Sequence, residues 1–93
     1  MFSFPEDARW DDAEEAVAFT LILGEYGGRV LVPRRVFHDL IGNRPSPEEC
    51  LSRFHLNRAL FERAAEARVH ARALDADAAI RLTGRDLRAV RGG

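Results

Sequence analysis

Apolar side chains recur at helical spacing through the middle of the chain, over residues 47–73, and no glycine or further proline interrupts them after Pro47. Ser46 is a favourable N-cap, Pro47 suits the first helical position, and Glu49 completes a capping box with Ser46. We therefore predict one continuous amphipathic helix against which the rest of the chain packs. Its buried stripe is predicted to contain Cys50, Leu51, Phe54, Phe61, Ala64 and Ala65, widened by Leu56 and Leu60.

The length of this helix raises a problem of fit. It would extend about 40 Å, whereas a compact domain of this size is roughly 32 Å across. We therefore expect the helix to kink, to project from the body, or to be covered at its far end by a second copy. Arg68 and Arg72 continue the buried line in the last turns, so that end should lie over solvent or acidic partners.

Period-two alternation upstream predicts a β-hairpin. Residues 16–25 form the clearest strand, residues 24–28 form a glycine-containing turn, and residues 29–32 form the second strand. Phe2 and Phe4, also at period two, allow an additional N-terminal strand. The acidic stretch between them and the hairpin, residues 5–15, is predicted to be turn-rich.

The remaining elements are short. A helix over residues 34–41 is ended by Gly42, residues 75–77 turn the chain, residues 79–83 form a third strand, and Thr83 caps a final helix. The prediction is a single α+β domain, residues 1–93, of order β-β-α-α-β-α. A small antiparallel sheet should pack on the long helix.

Composition narrows the class of protein. A hydrophobic content of 46% and a charged content of 31% are ordinary for a soluble globular domain. The longest apolar run is too short to cross a bilayer, and no secretory signal is visible, so a cytoplasmic protein without membrane contact is expected. The lone Cys50 excludes an internal disulfide and is expected to be a small core residue.

The net charge of −1 hides an asymmetry. Residues 1–25 have a net charge of −6 and residues 26–93 a net charge of +5, and every basic residue is arginine. The two segments should attract each other, within one chain or between two. The arginine content reflects either a coding bias or contacts of guanidinium forks with anions. The overall balance does not supply the positive field that non-specific DNA binding needs.

No motif of catalysis is present. His38, His55 and His70 are too widely spaced to share a metal ion. Neither a P-loop nor a dinucleotide-binding fingerprint occurs. We therefore predict no catalytic residue, no cofactor and no metal, and we expect the protein not to be an enzyme.

Five residues are candidates for interaction: Trp10, Arg34, Arg35, Asn57 and Arg58. Asn57 and Arg58 interrupt the apolar stripe, and a guanidinium near the core must be paired. Arg58 is therefore either fixed by an acid of the N-terminal segment and a carbonyl, or it faces a groove and binds an anion. Trp10 either closes the edge of the core or anchors a partner. Nucleic-acid binding would use Arg34, Arg35, Arg44 and the arginine-bearing face of the long helix.

These features support three hypotheses. The favoured one is a non-enzymatic interaction or regulatory module that forms a homodimer, because the helix is too long for the body and the charge is split. The first alternative is a nucleic-acid-binding domain. The second is a small-ligand binder that uses a groove near Arg58.

Short motifs occur along the chain in a definite order. They are Phe4-Pro5, Trp10-Asp11, a strand around Val17 and Phe19, Leu40-Ile41-Gly42, Phe54, Asn57-Arg58, Ala64-Ala65 and Ile80-Arg81-Leu82-Thr83 with Asp86. In this order they resemble the small bacterial family catalogued as domain of unknown function 1488, over most of the chain. The resemblance implies a small α+β domain and no particular activity.

Overall fold

The computed structural model describes residues 2–72 and 79–91. The turn predicted at residues 75–77 lies outside these ranges. The elements, in chain order, are β1 Phe2–Ser3, β2 Arg9–Asp11, β3 Ala16–Leu23, β4 Tyr26–Pro33, α1 Arg34–Ile41, α2 Pro47–Leu56, α3 Arg58–His70, β5 Ile80–Arg81 and α4 Gly84–Arg91. The described part of the chain is thus α+β, as predicted, with one sheet and four helices. The predicted order β-β-α-α-β-α is corrected by two extra strands at the start and a third helix in the middle.

The hairpin of β3 and β4 is longer than the sequence pattern indicated. The chain reverses in a two-residue turn at Gly24 and Glu25, in which Gly24 has a φ of +60°. Gly28 was assigned to the turn but lies in β4, opposite Leu21. The space that its missing Cβ leaves is filled by the ring of Tyr26, since a Cβ there would lie 2.6 Å from the tyrosine hydroxyl.

The N-terminal segment forms two strands along one edge of β3. The additional strand expected at Phe2 is present as β1, whereas the turn-rich prediction was wrong for residues 9–11, which form β2. Between β1 and β2, the side chain of Asp7 provides the hydrogen bonds to β3. Its carboxylate accepts hydrogen bonds from the main-chain N–H of Thr20, at 3.1 Å, and from the Thr20 hydroxyl.

The other edge of the sheet departs from the prediction. β5 pairs with β4 in parallel, so the sheet is mixed rather than wholly antiparallel. Parallel neighbours require a long crossover connection, and the three helices α1 to α3 supply it. β5 is also shorter than the predicted strand, because only residues 80–81 pair with β4.

The prediction of a single long helix was wrong. Asn57 separates α2 from α3, with φ −121° and ψ 27°. Its main-chain N–H and its Nδ2 both donate to the carbonyl of Arg53, at 3.2 and 3.1 Å, and this closes the end of α2. Its own carbonyl then accepts from the N–H of Leu60 at 2.9 Å, which begins α3. A straight helix of about 40 Å would exceed the 36 Å longest dimension of the molecule, so the expected kink takes the form of a break.

The helices pack on one face of the sheet and bury a phenylalanine cluster there. The ring centroids of Phe19 and Phe54 lie 5.0 Å apart, and those of Phe54 and Phe61 lie 5.3 Å apart. Most of the predicted stripe is buried. Leu51 is only partly buried, and Leu56 is 76% exposed at the end of α2, with its side chain outside the core.

Candidate functional site

The acidic and basic segments meet within one chain. The N-terminal acids form ion pairs with arginines from the rest of the chain: Asp11 with Arg29 at 3.1 Å, Glu15 with Arg34 at 3.6 Å and Arg44 at 3.8 Å, Glu14 with Arg81 at 3.4 Å, and Glu6 with Arg58 at 4.0 Å. These pairs neutralise each other locally. The arginines that can bind another molecule are therefore the ones that these acids do not reach.

Trp10 and Arg34 are brought together at the edge of the core. The guanidinium of Arg34 lies 5.0 Å from the centroid of the indole ring, within the range of a cation–π interaction. The indole N–H donates to Asp12 at 2.8 Å, and the ring packs partly buried against the core. Trp10 thus contacts residues of its own chain at the edge of the core.

Asn57 and Arg58 lie at the break between α2 and α3. The Nε of Arg58 donates to Glu62 at 2.7 Å, and its Nη2 donates to the carbonyls of Phe4 and Pro5 at 3.3 and 3.4 Å. The expected contact with a main-chain carbonyl is present, but the acid that holds Arg58 is Glu62 of its own helix, and Glu6 of the N-terminal segment lies 4.0 Å away. The side chain ties the N-terminal segment to α3, and Asn57 ends α2.

A groove runs between α1 and α4. Two adjoining hollows of about 480 and 210 Å³ share Val36, Asp39, Gly84 and Arg88, and together they form one continuous cleft, called here the α1–α4 groove. Arg35 is the residue among the five candidates that lines it. The groove is lined by Pro33, Arg35, Val36, Asp39, Leu40, Leu82, Thr83, Gly84, Arg85, Leu87, Arg88 and Arg91.

A second hollow of about 370 Å³ adjoins this groove at Pro33 and Arg35. Its wall carries Arg34 and Arg44, both of which contact Glu15. The charges of Arg34 and Arg44 are therefore countered within the chain, whereas no ion pair within the described ranges is seen for Arg35, which lines both hollows.

The charge of the α1–α4 groove is concentrated on four exposed arginines: Arg35, Arg85, Arg88 and Arg91. Within residues 2–72 and 79–91 none of the four contacts an acidic side chain at ion-pair distance. Asp86, on the same helix, is already engaged, since its carboxylate accepts from the N–H of Thr83 at 2.8 Å and pairs with Arg68 at 3.0 Å. Asp39 is the one acid among the described residues that line the groove.

The arrangement can bind an anion. Guanidinium groups hold carboxylates and phosphates through charge-assisted, frequently bidentate hydrogen bonds. Cys50 is buried away from the groove, and burial raises the pKa of its thiol. Histidine, cysteine and acidic residues of the described ranges nowhere gather in threes that could hold a metal ion.

Sequence reasoning missed the three arginines of α4. The sequence signal for them is their spacing of three residues in a helix with a single acid, Asp86. What the pattern could not show is that Arg35, some fifty positions earlier in the chain, lines the same groove.

The fold and the groove together define a small two-layer α+β domain with a basic cleft at one end of its helical layer. The chain belongs to the family described as protein of unknown function (DUF1488), whose model matches residues 2–82. The resemblance drawn from the short motifs is thereby confirmed. The match ends before α4, so it carries no information on the arginines of that helix.

One solved structure shows the same fold. It is a protein of unknown function from the DUF1488 family of Shewanella loihica PV-4, similar with a TM-score of 0.80 and 24% sequence identity over 87% of this chain and 90% of that chain. No curated protein matches the chain. In the part of the chain that the structure describes, the helices are too short or too polar to span a membrane.

Proposed function

We propose that this protein is a non-enzymatic interaction module that binds an anionic partner in the α1–α4 groove. The observation that supports this most directly is the convergence of four arginines on one cleft without an acidic partner among the described residues. Like charges held close together repel each other, and a bound anion removes that repulsion. A regulatory role would consist of occupying or releasing this cleft.

The nucleic-acid alternative loses part of its basis. Of the three arginines assigned to it, Arg34 and Arg44 contact Glu15, and only Arg35 is available. The arginine-bearing face of one long helix is also divided by the break at Asn57. A low-salt gel shift with duplex DNA tests this alternative, and a stable complex would restore it.

The small-ligand alternative near Arg58 has a similar difficulty. Arg58 is engaged by Glu62 and by two main-chain carbonyls. The three hollows described above lie around α1, and Arg58 lines none of them.

The homodimer stays a prediction, although the structure supports neither of the two reasons that favoured it in the sequence. The helix breaks instead of projecting, and the acidic and basic segments pair within one chain. Size-exclusion chromatography with light scattering decides the matter, and a monomer at high protein concentration would exclude the dimer. The cytoplasmic location likewise stays a prediction.

The proposed function is tested by reversing one charge in the groove. Arg85→Glu places an acid in the first turn of α4, where it interacts favourably with the helix dipole, so the variant should fold. Arg63→Glu, at an exposed position of α3 outside the groove, is the matched control. The probes are fluorescein-labelled polyglutamate and oligothymidylate, followed by anisotropy at low and raised salt.

We expect salt-dependent binding of at least one probe, weakened about tenfold or more by Arg85→Glu. Arg63→Glu should bind as the wild-type protein does. Equal affinities for the wild type and Arg85→Glu, or no binding of either probe, would contradict the proposed function.

A further inference from the structure

We infer that the occupant of the α1–α4 groove is an acidic peptide segment of another protein that carries an apolar side chain between its acids. This inference rests on the proposed function and specifies the partner. It follows from the apolar lining of the groove, from the confined distribution of its charge, and from the state of the acids in this chain.

The groove has an apolar lining between its arginines. Pro33 and Leu40 are half-buried, and Val36 lies between them at 5% exposure. The aliphatic stems of arginines add further apolar surface below the guanidinium groups. A purely charged ligand would leave the exposed parts of Pro33 and Leu40 and these stems in water, whereas an apolar side chain of a partner would cover them.

The arginines of the groove are distributed over its two helices. Arg85, Arg88 and Arg91 are separated by about 4.5 Å along the axis of α4, and Arg35 belongs to α1, the other helix that lines the groove. Positive charge thus occurs on both helices that border the apolar lining. A peptide in which an apolar residue has acids before and after it would contact both the apolar lining and the arginines of the groove.

The lining of the groove favours a peptide over a nucleic acid as the occupant. Binding of a phosphate backbone needs a basic track that continues over several nucleotides, and single strands also need aromatic side chains on which bases stack. The residues that line the groove include no aromatic side chain, and Asp39 lies among them. The adjoining hollow brings in Glu14 and Glu15. The positive charge therefore ends within the groove.

The state of the acids in this chain favours a different protein over a second copy of this chain as the occupant. The acids of residues 11–15 are the densest acidic stretch in the described ranges, and Asp11, Glu14 and Glu15 are ion-paired to arginines of their own chain. A second copy would have to break these pairs to enter the groove. The acidic stretch of a second copy is thus already engaged, and an unpaired acidic segment of a different protein fits the groove better.

The experiment compares three labelled probes by fluorescence anisotropy. They are the peptide Glu-Glu-Leu-Leu-Glu-Glu, its counterpart with serine in place of both leucines, and oligothymidylate. Two variants act on different parts of the groove. Arg85→Glu reverses a charge, and Gly84→Leu keeps all four arginines but fills the cleft.

Gly84→Leu should be tolerated, because a Cβ at Gly84 meets only the flexible guanidinium end of Arg88, at 3.1 Å. We expect the leucine peptide to bind about tenfold or more tightly than the serine peptide. Arg85→Glu should weaken both peptides, and Gly84→Leu should weaken the leucine peptide selectively. This set of results would support the inference.

The possible failures are distinguishable. If the serine peptide or oligothymidylate binds as tightly as the leucine peptide, and Arg85→Glu still weakens that binding, the inference is overturned and the proposed function stands. If Arg85→Glu changes the binding of no probe, both are overturned.

Discussion

Asp7 holds the N-terminal segment to β3 at a point where neither β1 nor β2 pairs with it. Burial acts to raise the pKa of this carboxyl, but hydrogen bonds from the hydroxyl and N–H of Thr20, and the charge of Arg9, outweigh it. The pKa of Asp7 in the folded protein therefore lies below its ordinary value of 3.8. Because the folded-state pKa is depressed, the ionised form stabilises the fold above pH 3.8, and this stabilisation is lost as the pH falls through the lowered pKa.

Asp7→Asn should lower the free energy of unfolding at neutral pH by about 1–2 kcal/mol, because a neutral amide replaces a charged acceptor. The loss should shrink as the pH falls below 3.8 and through the lowered pKa, where Asp7 of the folded wild type becomes protonated. Urea unfolding at a series of pH values measures both effects. Glu25→Gln, at an exposed turn position, is the control and should leave the pH dependence unchanged. Parallel pH profiles for the wild type and Asp7→Asn would exclude this role of Asp7.

Helix ends show which elements a sequence can predict and which it cannot. The start of α2 was predictable because Ser46 and Glu49 lie within one turn and satisfy each other's N–H groups, at 2.9 and 3.2 Å. The break at Asn57 had a signal in the sequence, because Asn57 and Arg58 interrupt the apolar stripe. That interruption does not distinguish a helix break from polar positions within a continuous helix, and the hydrogen bonds from Asn57 to the carbonyl of Arg53 are visible only in the folded chain.

The same distinction applies to the sheet and to the site. The β3–β4 hairpin is local and was predicted, whereas the parallel pairing of β5 depends on where the helices carry the chain. Trp10 and Arg34 could be singled out by residue type, but their contact with each other could not. The α1–α4 groove joins two helices far apart in sequence, so only the folded chain reveals it.

At the scale of the element, the capping box of α2 allows a matched test. Ser46→Ala should lower the free energy of unfolding by about 1 kcal/mol, because the N–H of Glu49 loses its acceptor. Ser52→Ala, at an exposed position inside the same helix, should be neutral or slightly stabilising, since alanine is the better helix former. Chemical denaturation of both variants provides the comparison. Equal destabilisation by the two substitutions would mean that the cap does not stabilise α2.

The whole molecule is closed by its N-terminal segment. β1 and β2 cover one edge of β3, and an uncovered edge would expose unpaired main-chain groups. A strand of two residues such as β1 has little pairing of its own. Arg58 holds this segment from the helical side through the carbonyls of Phe4 and Pro5. The side chain that interrupts the apolar pattern thus links the two layers of the fold.

Arg58→Ala should therefore loosen the N-terminal edge of the sheet before the rest of the fold. We expect a fall of about 1–3 kcal/mol in the free energy of unfolding, and faster hydrogen exchange in β1 and at the Ile22 and Leu23 end of β3, where β1 pairs. Arg63→Ala removes an exposed arginine from the same helix and should leave exchange at that edge unchanged. If Arg58→Ala sped exchange evenly over the whole sheet, Arg58 would stabilise α3 through Glu62 alone. Faster exchange confined to the edge would instead show that the contact across the layers is what keeps β1 in place.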